Sequence, residues 1–174
     1  MSWKKVVLIL LMLIVLVIGI IVFVLFFYPK NAPPADLNTI NVDKTQVGIE
    51  QINLLLYNIK AYELHNPPLS KNTPKIEIII EDEAFNSEII NGKIKTVRGV
   101  IDNEDIRIKT SKSEFMKILN SDKIKEEMQN SAQNNNLEIE MISGKIELAS
   151  KGYLNVYKEV TGKSLTGNII RSLS

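Results

Sequence analysis

The chain has 174 residues, of which 45% are hydrophobic and 24% charged, with a formal net charge of +1 and no cysteine. So even a balance supplies no basic footprint for nucleic acid. The missing cysteines exclude a disulfide framework and every thiolate metal site.

The run from Val6 to Tyr28 carries no charge and is long enough to cross a hydrocarbon core of roughly 30 Å as a helix. A charged Lys4-Lys5 pair precedes it, as in a secretory leader. However, the run exceeds the h-region length of about 7 to 15 residues and ends in bulky "FVLFFYP" with no small-x-small cleavage site. It therefore reads as an uncleaved anchor over residues 1–28, with Trp3 and Tyr28 as interfacial rings. Lys4 and Lys5 before the span outweigh Lys30 after it, so the positive-inside rule predicts a cytoplasmic N-terminus, a single pass through the cell membrane and an exported C-terminal domain.

Residues 29–45, "PKNAPPADLNTINVDKT", open with three prolines in six positions and read as a semi-extended tether. Residues 46–174 then form one domain. Apolar residues at 49, 52, 55, 56, 59 and 62 keep helical spacing from Gln46 to Leu64, and "HNPP" stops that helix. Lys75 to Glu83 alternates as a half-buried strand. "FNSEIINGKIKTV" places Asn91-Gly92 between two alternating segments, a hairpin signal because both residues tolerate positive φ. A further strand is predicted at Asp105 to Lys109.

Ser111-Lys112-Ser113-Glu114 fits a capping box and opens a helix through Phe115 and Leu119. A second helical piece runs from Ser121 to about Ala132. Leu137 to Ile142 alternates again. Lys145 to Val160 keeps helical spacing, with Gly152 as a weak point costing up to ~1 kcal/mol relative to alanine. The predicted class is α+β, with an N-terminal transmembrane helix and a mainly antiparallel sheet of about five strands covered by helices.

The words "FNSEIINGKI", "NEDIRIKTSKSEFMKIL" and "LEIEMISGKIELA", in that order, resemble the sterol carrier protein type 2 domain over roughly residues 75–161. The second matches the family's "D-[VI]-x-I-x-x-S-x-x-x-F" strand-to-helix corner. The chain departs from the family in owning a membrane span and in a last helix interrupted by Gly152 and several charges. The resemblance implies a tunnel between sheet and helices for a fatty acid or membrane lipid. Its expected lining is Phe115, Met116, Leu119, Met128, Met141, Tyr153, Leu154 and Tyr157. It implies no covalent chemistry, and neither a cofactor nor a metal is expected.

Other motifs give little. Gly162-Lys163-Ser164 ends like a phosphate loop, but Tyr157 stands where the first glycine belongs and the motif follows a helix, so Gly162 reads as a C-cap. Glu81-Asp82-Glu83 and Asp102, Glu104, Asp105 lack a calcium-loop pattern and read as solvated turns. His65, the one histidine, reads as a helix end. No G-x-S-x-G, H-E-x-x-H or Cys/His pair is present, so no enzyme is expected. Two readings follow: a membrane-anchored domain that binds and presents or transfers an apolar ligand, or a non-catalytic envelope interaction or scaffolding module with a filled core.

Overall fold

The structure, a computed structural model, describes residues 3–27 and 45–163, which fall in two separate units. Tyr28 and the tether up to residue 44 lie outside the described residues, as does the segment beyond Lys163. The first unit is helix α1, Trp3–Phe27. Its stretch Trp3–Ile20 has a mean hydropathy of 2.6 and none of it is buried in protein. By length and composition it is sufficient to cross a membrane, a test that a signal sequence also passes.

The second unit begins with α2, Ile49–Asn58. Ile52, Leu55 and Leu56 are buried from one face, as the 3.6-residue spacing requires. The helix predicted to run to Leu64 is shorter, because Lys60 adopts a left-handed conformation (φ 59°) and the chain continues as a 3₁₀ turn, Ala61–Glu63. Strands β1 (Lys75–Ile80), β2 (Glu83–Ile90), β3 (Lys93–Arg98), β4 (Ile106–Thr110) and β5 (Leu137–Met141) form one sheet in the order β3-β2-β1-β4-β5. Asn91 and Gly92 have φ of 51° and 77°, the geometry the β2–β3 hairpin needs.

Three of the neighbouring pairs are antiparallel, but β1 and β4 run parallel, with Ile76 opposite Ile106. The sheet is therefore mixed. The cause is the strap between β3 and β4, which returns the chain across the open face of the sheet. Asn86 Nδ2 donates to Gly99 O at 3.1 Å, and Ile101 N donates to Glu77 Oε1 at 3.3 Å.

Helices α3 (Lys112–Asn120), α4 (Ile124–Gln133), α5 (Lys145–Lys151) and α6 (Tyr153–Thr161) complete the unit. Ser111 caps α3 by accepting from Glu114 N at 3.2 Å, one half of the predicted box. The other half is absent, because the Glu114 carboxylate accepts from Ser131 Oγ at 2.6 Å instead. The single helix predicted from Lys145 to Val160 breaks at Gly152, whose φ of 91° ends α5 and starts α6. Gly162 (φ 69°) ends α6 as expected.

Alternation assigns Ile76, Ile78, Ile80, Phe85, Ile89, Ile106 and Ile108 to the face under the helices, where all are buried. The opposite face is polar. There Arg107 pairs with Glu77 at 2.5 Å and Glu140 at 3.1 Å, and Lys109 with Glu140 at 2.5 Å.

Candidate functional site

The residues expected to line a tunnel are brought into one layer, and that layer is packed. Phe115, Leu119 and Met128 are fully buried and Tyr153 almost so; Met116 and Met141 pack against the same cluster from partly exposed positions. Leu154 is half-buried and stands outside that cluster. Met141, Tyr153 and Tyr157 do meet, around a gap between β4–β5 and α6 that Ile106, Leu148 and Val160 help to close. Its volume is ≈ 10 Å³, the space of about one water molecule. An acyl chain would have to displace protein atoms to enter.

A larger space opens at the edge of the sheet. Among the described residues β5 is the last strand of the sheet, and no strand pairs with its outer side. The ends of α4 and α6 stand beside it. Together they form a groove of ≈ 410 Å³, with Ala132, Leu137, Ile139 and Tyr157 as apolar lining and Gln133, Asn135, Glu138, Thr161 and Lys163 as polar lining. Of the eight expected residues only Tyr157 reaches it. The sequence signal that could have found it was topological: a last strand with a polar exit, "QNNN", on one side.

The most densely bonded polar group lies at the opposite end of β5. Asp105 and Lys151 are each 1% exposed, joined by a 2.7 Å ion pair. Asp105 also accepts from Lys75 N (2.8 Å), Ser143 Oγ (2.9 Å) and Tyr153 OH (2.9 Å), and Tyr153 OH lies 3.0 Å from Lys75 O. The reading of Asp102, Glu104 and Asp105 as a solvated turn is thus overturned for two of the three, since Glu104 too is buried beside Arg107. Burial, then the Asp105 charge, pushes the Tyr153 hydroxyl well above the usual tyrosine range. The carboxylate, ammonium and phenol are bonded to one another, so the cluster joins α5 and α6 to the sheet end. His65 belongs to the same region through its backbone, donating to Lys151 O at 3.2 Å. Among the described residues, no group of three His, Asp or Glu side chains is arranged to hold a metal ion.

No protein-family model and no curated protein matches the chain. Several solved structures are similar to it. The UbiJ-SCP2 ubiquinone synthesis protein is 8% identical with a TM-score of 0.34, covering 60% of this chain and 75% of that one. The palmitated SCP2L2 of Aedes aegypti is 16% identical with a TM-score of 0.36, covering 60% and 90%. The stereoselective inverting sec-alkylsulfatase Pisa1 from Pseudomonas sp. is 10% identical with a TM-score of 0.40 over 63% of this chain, which spans only 16% of that one. Two of these solved structures carry SCP2 in their names.

Proposed function

We propose that the protein is a membrane-anchored, non-enzymatic interaction module, held by α1 with its globular unit exported, that captures an extended polypeptide segment along the free edge of β5. The observation that supports this most is the contrast in space: ≈ 10 Å³ inside the sheet–helix layer against ≈ 410 Å³ at the β5 edge. An edge strand offers alternate backbone donors and acceptors, and strand addition uses them while neighbouring side-chain pockets select the partner. Leu137, Ile139 and Tyr157 provide such apolar lining, with Glu138 and Lys163 as charges of both signs.

The lipid-binding reading keeps one specific support, since the groove's volume falls within the small-molecule range of about 300–1,000 Å³. Energetics favour the polypeptide. Burying a methylene is worth about 0.8 kcal/mol, and a chain drawn from a bilayer regains that only where it is enclosed. An open groove encloses it poorly.

A photoreactive phenylalanine analogue at position 138 of the full chain, irradiated in native membranes, tests the assignment. Discrete protein adducts that vanish when Ile139 is replaced by proline support the module. Adducts with lipid alone would transfer the site to an apolar ligand.

A further inference from the structure

Three bulky apolar side chains protrude from the end of the globular unit that carries α5. Leu69 is fully exposed, Ile146 is 89% exposed and Ile142 47%. The segments that carry them are bonded together. The loop from His65 to Pro74 is tied to α5 by His65 N to Lys151 O (3.2 Å), Asn72 Nδ2 to Glu147 Oε1 (2.7 Å) and Lys151 Nζ to Thr73 O (3.5 Å). Ile142 stands at the end of β5, where its N–H and that of Ser143 both bond Asp105 O. The Asp105–Lys151 ion pair underlies all of it.

Leu69 is also conformationally anomalous. Ser70 N bonds Pro67 O at 3.0 Å, closing a turn in which Leu69 takes the third position with φ 62°. That position calls for glycine or asparagine. A β-turn that holds a leucine left-handed and exposed gains nothing in water from either choice, and such outliers cluster at functional sites. Exposed Lys71 and Lys145 flank the apolar trio.

We infer that this rim, Leu69, Ile142 and Ile146 between Lys71 and Lys145, inserts shallowly into the headgroup layer of an anionic bilayer. Apolar tips with basic neighbours match that interface in both chemistry and charge. The chain supplies reach as well. Residues 28–44 could extend for about 50 Å at ~3.1 Å per residue. The inference rests on the anchoring part of the proposed function and leaves the β5 groove, at the other end of that strand, free for a partner.

The chain contains no cysteine, so a single reporter can be placed without background. Gly144 lies between Ile142 and Ile146 with φ −63° and nothing within 4 Å of an added Cβ. Gly144→Cys is therefore compatible with the fold. Lys112→Cys, just past the Thr110 end of β4 and so opposite the Ile106–Met141 end, is the control.

Each full chain, carrying a polarity-sensitive fluorophore, is reconstituted in phosphatidylcholine vesicles with 30% phosphatidylglycerol and nitroxide-labelled lipid. The expected result is a blue shift and at least twofold stronger lipid quenching at 144 than at 112. Adding Leu69→Ser and Ile146→Ser should abolish the difference while leaving circular dichroism unchanged. Equal quenching at both sites overturns the inference, and a blue shift without quenching assigns the rim to a second protein copy and overturns it too. Carbonate extraction of the same vesicles reads the anchor separately. Retention without quenching at 144 refutes docking alone, and quenching followed by release refutes anchoring alone.

Discussion

At the scale of single residues, the decisive group is Asp105, which gathers four side-chain hydrogen bonds or ion pairs at 1% exposure. Removing one partner of a buried pair leaves a charge without compensation, at a cost of about 3–5 kcal/mol. Lys151→Met should therefore lose that much stability in urea denaturation, and Asp105→Asn added to it should restore part of the loss, because the orphaned carboxylate disappears. Additive losses would show that the pair acts independently.

Tyr153 gives a pH signature with a definite sign. Its hydroxyl ionises well above the unfolded value near 10 because it is buried beside Asp105. Between those two values the unfolded chain releases a proton that the folded chain keeps, so stability is intact below pH ~10 and falls as pH rises above it. Tyr153→Phe should lower stability at pH 7, through the lost hydrogen bond to a charged acceptor, yet flatten the decline between pH 9.5 and 11.5. An unchanged alkaline slope of melting temperature would count against this cause. Leu69 makes the opposite kind of prediction. A non-glycine residue in the left-handed region carries roughly 1–2 kcal/mol of strain, so Leu69→Asn should raise stability by some tenths to ~1 kcal/mol in the same denaturation assay.

At the scale of elements, Gly152 divides what periodicity reads as one helix. A Cβ there meets Leu64 Cδ2 at 3.7 Å and His65 Nε2 at 3.8 Å, ordinary contacts, so the penalty is conformational rather than steric. Gly152→Ala should cost about 1–2 kcal/mol by the same left-handed argument, measured by thermal unfolding. An alanine variant as stable as the parent would mean α5 and α6 can merge.

This break also marks how far the elements were legible. Hydrophobic period and punctuation located every strand, the Asn91-Gly92 hairpin and the Ser111 cap, because those signals are local. The parallel β1–β4 pairing depends on a strap bonded to Asn86 and Glu77, partners outside the strap's own sequence. Nor does alternation reveal that Asp105 is buried, since its partners come from β1, the β5–α5 turn, α5 and α6. Apolar spacing correctly located the inward stripe of Phe115, Leu119 and Met128, but spacing measures which side faces in. It does not measure how much space remains there.

At the scale of the molecule, the chain holds two units: an exposed apolar helix, and a domain with its own sheet and core. Anchoring makes a direct prediction. In intact cells, Lys30→Cys should react with a membrane-impermeant maleimide added outside, and Ser2→Cys should not. Labelling of the N-terminal site alone would reverse the topology.

The domain's interior separates a binding surface from a lipid container most directly. Within residues 30–174 the methionines are Met116, Met128 and Met141, and all three lie in or against the packed layer. Methyl spectra of that segment with carbon-13 in its methionines, titrated with a saturated fatty acid, read this layer. The filled-core account predicts no saturable shift at Met128 or Met141. Saturable shifts at both, at one affinity, would contradict it and return the domain to a carrier's role.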